Sequence, residues 1–149
     1  MSVYHFPLQK VMDLKEQDKE ESKLKYGEAI ANWKKGQDEL FALQSLRDKW
    51  QAIRADSAEH QISIQRLHEL ESYIKHLGRL LEEKKIEMDV LEERLNLLQQ
   101  QYTDKEKDFK AWEELKEKSY AVYKDQKDKQ EQSEMDEIAI LRFARRRGD

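Results

Sequence analysis

Cysteine is absent from the 149 residues, which excludes disulfides and thiolate metal sites. Proline occurs once, and the four glycines are scattered at positions 27, 36, 78 and 148, so no Gly-rich phosphate-binding loop is predicted. No run of apolar residues approaches the roughly 20 that a membrane-spanning helix needs. The first residues also lack the basic and apolar regions of a signal peptide. We therefore expect a soluble, intracellular protein without a cofactor.

The composition favours long helices over a compact globule. Charged residues make up 40% of the chain and hydrophobic residues 38%. Such a charged chain is either disordered or built from helices with solvated outer faces. Leucine, tryptophan and tyrosine recur at regular spacing, which argues against disorder. The formal net charge of −4 gives no general attraction to nucleic acid.

The clearest pattern is a heptad repeat in the second half of the chain. Every seventh residue from Leu67 is apolar except Lys116, and five of the eight companion positions that start at Leu70 are apolar. The first series is Leu67, Ile74, Leu81, Met88, Leu95, Tyr102, Phe109, Lys116 and Tyr123. The second series is Leu70, Leu77, Lys84, Leu91, Leu98, Lys105, Trp112 and Ser119. This repeat predicts the seam of a left-handed coiled coil, and the alternative is one amphipathic helix on a globular core.

A second apolar stripe in the first half supplies the partner helix. We expect helix 1 over about residues 7–55, starting at Pro7, and helix 2 over about 63–142. The small polar residues at 56–62 predict the bend between them. The predicted fold is all-α, a single domain over residues 1–149 that forms a long antiparallel two-helix coiled-coil hairpin. A bend near residue 58 would set Trp50 opposite about residue 66.

More apolar residues lie near the predicted bend than a two-stranded seam can bury. Four of them compete for that seam: Leu46, Trp50, Tyr73 and Leu80. Some apolar surface should therefore stay exposed, and exposed apolar patches with polar rims usually bind partners. A locally wider core or self-association is the alternative.

The C-terminal part of helix 2 extends beyond its predicted partner. Residues 124–134 contain no apolar side chain, whereas residues 135–144 are mostly apolar and are followed by three arginines at 145–147. We interpret the apolar segment as a docking element. The arginines at 142, 145, 146 and 147 could complement the helix dipole, dock on an acidic protein surface, or contact nucleic acid weakly.

Residue patterns typical of catalysis or metal binding are incomplete. His68-Glu69 starts a zinc-protease pattern, but Ser72 stands where the second histidine is required. His68 and His76 are two helical turns apart, which is too far for both to bind one metal ion unaided. We therefore predict no enzymatic activity, no metal site and no small-molecule substrate.

Both ends of the chain resemble the flagellar export protein FliJ family. Residues 4–15 (YHFPLQKVMDLK) resemble the family's opening, an aromatic residue followed by an LQKLLELK-type segment. Residues 134–139 (EMDEIA) resemble the family's KxMDE ending, which is followed by Ile or Phe and a short basic tail. The resemblance spans nearly the whole chain, although residues 55–62 carry no family signature.

The resemblance implies an antiparallel two-helix stalk that binds other proteins of the flagellar type III export apparatus. Implied partners are the hexameric export ATPase, the cytoplasmic part of the membrane export gate, and export chaperones, with no nucleic acid. The implied gate-binding residues are Glu39, Leu43, Leu46, Trp50, Tyr73, Leu77 and Leu80, and Lys84 falls on the same surface. The residues expected to enter the ATPase ring are Met135, Ile138, Leu141, Arg142 and Phe143.

The implied location is the cytoplasm, at the inner face of the cell membrane at the flagellar base. Two other hypotheses stay open from the sequence: the equivalent stalk of a virulence injectisome, and a generic coiled-coil scaffold or homodimer.

Overall fold

Two long helices make up nearly all of the computed structural model, which describes residues 3–148. Helix α1 runs Gln9–Glu59 and helix α2 runs Ile64–Arg147. The helices pack against each other as an antiparallel hairpin, which confirms the predicted fold class. By its contacts the chain divides into two compact units, one of residues 20–103 and one of the described residues before 20 and after 103.

The seam of α2 follows the predicted heptads. From Leu67 to Tyr123, none of the seam positions is exposed, including the polar positions Lys84, Lys105 and Lys116. Leu81 is 1% exposed and Leu77 is 2% exposed. The 3–4 spacing therefore identifies the face of α2 that packs against α1.

Helix α1 starts two residues after the only proline. The amide of Gln9 donates to the carbonyl of Phe6 at 3.1 Å, which forms a turn around Pro7. Proline fits this first turn because its missing N–H would have no partner there. The Phe6 ring is buried, so the residues before the helix are anchored to it.

The bend lies later than the sequence predicts. Helix α1 continues through residues 55–59, so the bend covers residues 60–63 instead of 56–62. This segment contains two alanines, which favour helix, and Ser57 lies one heptad after Trp50 on the seam face. The hydroxyl of Ser63 then accepts a hydrogen bond from the Arg66 amide at 3.2 Å and caps α2. Helix α2 also ends later, at Arg147 instead of about residue 142.

The pairing within the unit 20–103 differs from the predicted pairing by one heptad. The ring of Trp50 lies 5.3 Å from the ring of Tyr73, whereas the predicted partner was near residue 66. When the centre of the bend moves along the chain, the α2 residue that lies opposite a given α1 residue moves by twice as many positions. The resulting shift is seven residues, which leaves the same side chains on the seam. The hydrophobic pattern alone therefore cannot distinguish the two pairings.

Aromatic and small residues complete the core of this unit. The rings of Tyr26 and Tyr102 stack 6.1 Å apart. At Gly36, an added Cβ would collide with the sulfur of Met88 and lie 3.2 Å from Leu91. Glycine inside a helix usually only weakens it, whereas Gly36 makes room for α2.

The other unit contains a polar stretch of seam that ion pairs stabilise. Lys15 pairs with Asp108 at 3.0 Å, and the Lys19 ammonium lies 4.3 Å from the centre of the Phe109 ring. Next to it, Tyr4 packs against Tyr120 and Tyr123, at ring distances of 5.5 and 4.9 Å. These contacts hold the N-terminal residues on α2 as far as Tyr123.

We predict opposite effects of alanine at two glycines of α1. Gly27→Ala should stabilise the fold by about 0.5–1 kcal/mol, because alanine favours helix and a Cβ there meets nothing within 4 Å. Gly36→Ala should lose that gain to overpacking, which typically costs about 1–3 kcal/mol. Urea denaturation followed by circular dichroism measures both. A larger gain at Gly36 than at Gly27 would contradict the close approach of Met88.

Candidate protein-binding surfaces

An aromatic pair beside the bend forms the centre of the first candidate surface. Trp50 of α1 and Tyr73 of α2 meet edge to face, with a ring distance of 5.3 Å and an angle of 78°. Tyr73 is 40% exposed, and Trp50, Leu46 and Leu80 are half-buried. We call these four residues the tip patch. One seam cannot cover all of them, as the sequence predicts.

An open groove of about 610 Å³ continues the tip patch towards the bend. Its apolar lining consists of Trp50, Ile53, Ile62, Leu70 and Tyr73, and its polar rim includes Asp56, Arg66 and Glu69. Sequence reasoning did not assign Ile62 or Arg66 to a binding surface. Ile62 lies within the bend and Arg66 in the first turn of α2, and both line the groove together with Trp50.

The remaining sequence-predicted residues of this surface lie in or beside the seam. Leu77 is 2% exposed and Leu43 is half-buried, so both support the tip patch from below. Glu39 is exposed and accepts a hydrogen bond from the Lys84 ammonium. Leu77 is therefore a core residue and offers almost no surface to a partner.

Lys84 is a seam position whose charge is neutralised across the two helices. Its side chain is 11% exposed, and its ammonium pairs with Glu39 and, at 3.4 Å, with Glu87. The hydrogen bond and charge of Lys84 lower the pKa of Glu39. The hydrogen bond from Lys84 to Glu39 likewise raises the pKa of Lys84, against the effect of its partial burial.

The second candidate surface is the C-terminal segment of α2. Every described residue from Lys124 onwards is exposed. The exposed fraction is 66% for Met135, 51% for Ile138, 62% for Leu141 and 63% for Phe143. Arg142 lies among them, and the Arg147 guanidinium lies 5.5 Å from the centre of the Phe143 ring. Apolar side chains this exposed on one helix are typical of a docking surface.

The described residues 3–148 contain no cluster of three His, Asp or Glu side chains able to hold a metal ion. His68 and His76 are both exposed on α2. Over the same residues, neither helix has a stretch that is long and apolar enough to cross a membrane.

Comparison with known proteins identifies the family. The family model described as Flagellar FliJ protein matches residues 4–148. The chain belongs to the flagellar FliJ protein family. The Flagellar FliJ protein of Bacillus subtilis strain 168 is 21% identical over 140 residues, which cover 94% of this chain and 95% of that protein. No solved structure matches the chain.

Membership of the FliJ family confirms the resemblance noted at both ends of the sequence. It makes the chain a component of the flagellar export apparatus, with a role in flagellum assembly and motility. It also favours the flagellar system over an injectisome or a generic scaffold.

The ion pair between Glu39 and Lys84 predicts a pH dependence of stability. Because the pKa of Glu39 is lowered, the pair stabilises the fold above the ordinary value of 4.5 and is lost as pH falls through the lowered pKa. On the alkaline side, the raised pKa of Lys84 keeps the pair intact up to and beyond its ordinary value of 10.5.

Glu39→Gln should therefore lower the urea midpoint at neutral pH and have little effect once Glu39 is protonated. Circular dichroism at neutral and at acid pH measures the difference. Glu28→Gln, at another exposed position of α1, is the control. An effect of Glu39→Gln that is as large in acid as at neutral pH would contradict the ion pair.

Proposed function

We propose that this chain is a non-enzymatic coupling protein of the flagellar type III export apparatus. Its tip patch binds the cytoplasmic part of the membrane export gate. Its C-terminal segment enters the hexameric export ATPase, and the chain escorts export chaperones. It acts in the cytoplasm, peripherally associated with the inner face of the membrane at the flagellar base. The observation that carries this proposal is the partly exposed pair of Trp50 and Tyr73 beside the groove.

The chemistry of the tip patch suits a protein partner. Trp and Tyr are the residues most often found at the energetic centre of protein interfaces. Here they lie at the mouth of an apolar groove whose rim carries Asp56, Arg66 and Glu69. A partner could insert an apolar side chain beside the rings while polar groups pair at the rim.

The residues implied by the family resemblance have different roles in this proposal. Leu46, Trp50, Tyr73 and Leu80 present side-chain surface to the gate. Leu43 and Leu77 hold the two helices together beneath that surface. Glu39 is paired with Lys84, so it positions the helices and offers its remaining oxygen to a partner.

The C-terminal segment suits a second and separate partner. This segment of α2 exposes Met135, Ile138, Leu141, Arg142 and Phe143. A helix with apolar anchors at this spacing can lie in a groove or channel of another protein. The central opening of a hexameric ring offers such a channel for a single helix.

We predict that Trp50→Ala and Tyr73→Ala each weaken binding to the purified cytoplasmic part of the gate protein. Losing an aromatic anchor at an interface typically costs about 2 kcal/mol or more, which is about thirtyfold in affinity. Calorimetric titration measures the affinity, and circular dichroism should show nearly unchanged helicity.

The control is Phe41→Ala, which removes an aromatic ring that is 71% exposed on α1 but lies outside the groove. It should bind the gate like the natural chain. Equal weakening by Phe41→Ala, or an equal loss of helicity in the two patch variants, would contradict the assignment of the patch.

We predict that Ile138→Glu weakens binding to the export ATPase by about tenfold or more, because it puts a charge where an apolar contact forms. Gln130→Glu adds the same charge to the apolar-free part of the same helix and should bind nearly normally. Gate binding should be unchanged in both variants. Ile138→Glu binding the ATPase as tightly as Gln130→Glu would show that this segment does not enter the ring.

A further inference from the structure

We propose that the C-terminal segment also pairs, antiparallel, with the same segment of a second copy of this chain. The segment is the helical stretch of residues 131–147, all of it exposed. The Tyr4 ring contacts Tyr120 and Tyr123 and lines an open pocket with α2 residues as far as Glu131, and every described residue after Glu131 is exposed.

The charges of the segment are divided into an acidic half and a basic half. The acidic residues are Glu131, Glu134, Asp136 and Glu137, and the basic residues are Arg142, Arg145, Arg146 and Arg147. An antiparallel neighbour of identical sequence brings each acidic half against a basic half, whereas a parallel neighbour would bring like charges together. The helix dipole accounts for the arginines in the last turn, but the acidic half lies far from the first turn of α2.

The apolar residues lie between the two charged halves. Met135, Ile138, Ala139, Arg142 and Phe143 line one open groove of about 580 Å³ on a single face of the helix. Pairing about Ala139 would set Met135 opposite Phe143 and Asp136 opposite Arg142. The small side chain of Ala139 at the centre would let the two helices approach closely.

The pairing buries few residues, so it is expected to be weak. Each copy contributes nearly five turns of helix, and a contact of this size falls below the roughly 1,200 Å² of a standard stable interface. A weak pair can form when the chain is free and give way to a tighter partner. If the proposed function holds, self-pairing covers the very segment that enters the ATPase, and the two associations exclude each other.

Single-cysteine variants test the pairing on the full chain, because the natural sequence has no cysteine. In an antiparallel pair about residue 139, the two Ala139→Cys positions meet across the two-fold axis and form a disulfide under mild oxidation. Gln132→Cys lies two turns away on the same face and would face residue 146 instead. We expect at least about tenfold faster cross-linking of Ala139→Cys at equal concentration.

A charge swap tests the same pairing without oxidation. Asp136→Arg should raise the dimer dissociation constant about tenfold or more in sedimentation equilibrium, because each copy then opposes Arg142 with a like charge. The double variant D136R/R142D should restore dimerisation. Three results would each overturn the proposal. They are equal cross-linking of Ala139→Cys and Gln132→Cys, a natural chain that stays monomeric at the highest concentration, and no rescue by the double variant. None of these measurements uses the ATPase, so the proposal fails or holds independently of the proposed function.

Discussion

Two helices that pack only against each other share one narrow seam, and this limit determines which side chains of the protein are left for partners. The seam covers about two positions in every seven. Along α2 every one of these positions from Leu67 to Tyr123 is at least partly buried. Near the bend, the seam cannot cover both Trp50 and Tyr73. Ile138 and Phe143 lie on α2 after Tyr123, the last seam position, and are exposed. Both candidate surfaces therefore arise from the same geometric limit.

The face of each helix could be predicted from the sequence because a coiled coil repeats its contacts every heptad. Leu77, Leu81 and Met88 are buried, as their spacing predicts. The position of the bend could not be predicted with the same success. Residues 55–59 carry no Gly or Pro but still look turn-forming, and Ser63 alone ends the bend with a cap. Local sequence preferences at this segment are weak, so packing of the whole hairpin decides where α1 stops.

The composition of the candidate surfaces depends on that bend, and this explains what the sequence could not predict. A slip of one heptad keeps every seam residue on the seam but changes its partner. The contact between Trp50 and Tyr73, the groove that both rings line, and the pair of Lys84 with Glu39 all require the observed pairing. The C-terminal surface does not depend on how α1 and α2 are paired, so its exposed residues could be predicted from the sequence alone. The separation of its acidic and basic residues can be interpreted only once the segment is known to be helical and exposed.

The pairing of α1 with α2 is tested most directly by the distance between spin labels at Asp38 and Gln99, two exposed positions in the unit 20–103. With Trp50 beside Tyr73, the two labels are about 21 Å apart along the helix axes. A pairing slipped by one heptad towards the N-terminal part of α2 would lengthen this separation to about 31 Å. Pulsed electron spin resonance on the doubly labelled chain, diluted with unlabelled chain, should give the shorter distance. The longer distance would contradict the pairing and, with it, the surface that we assign to the export gate.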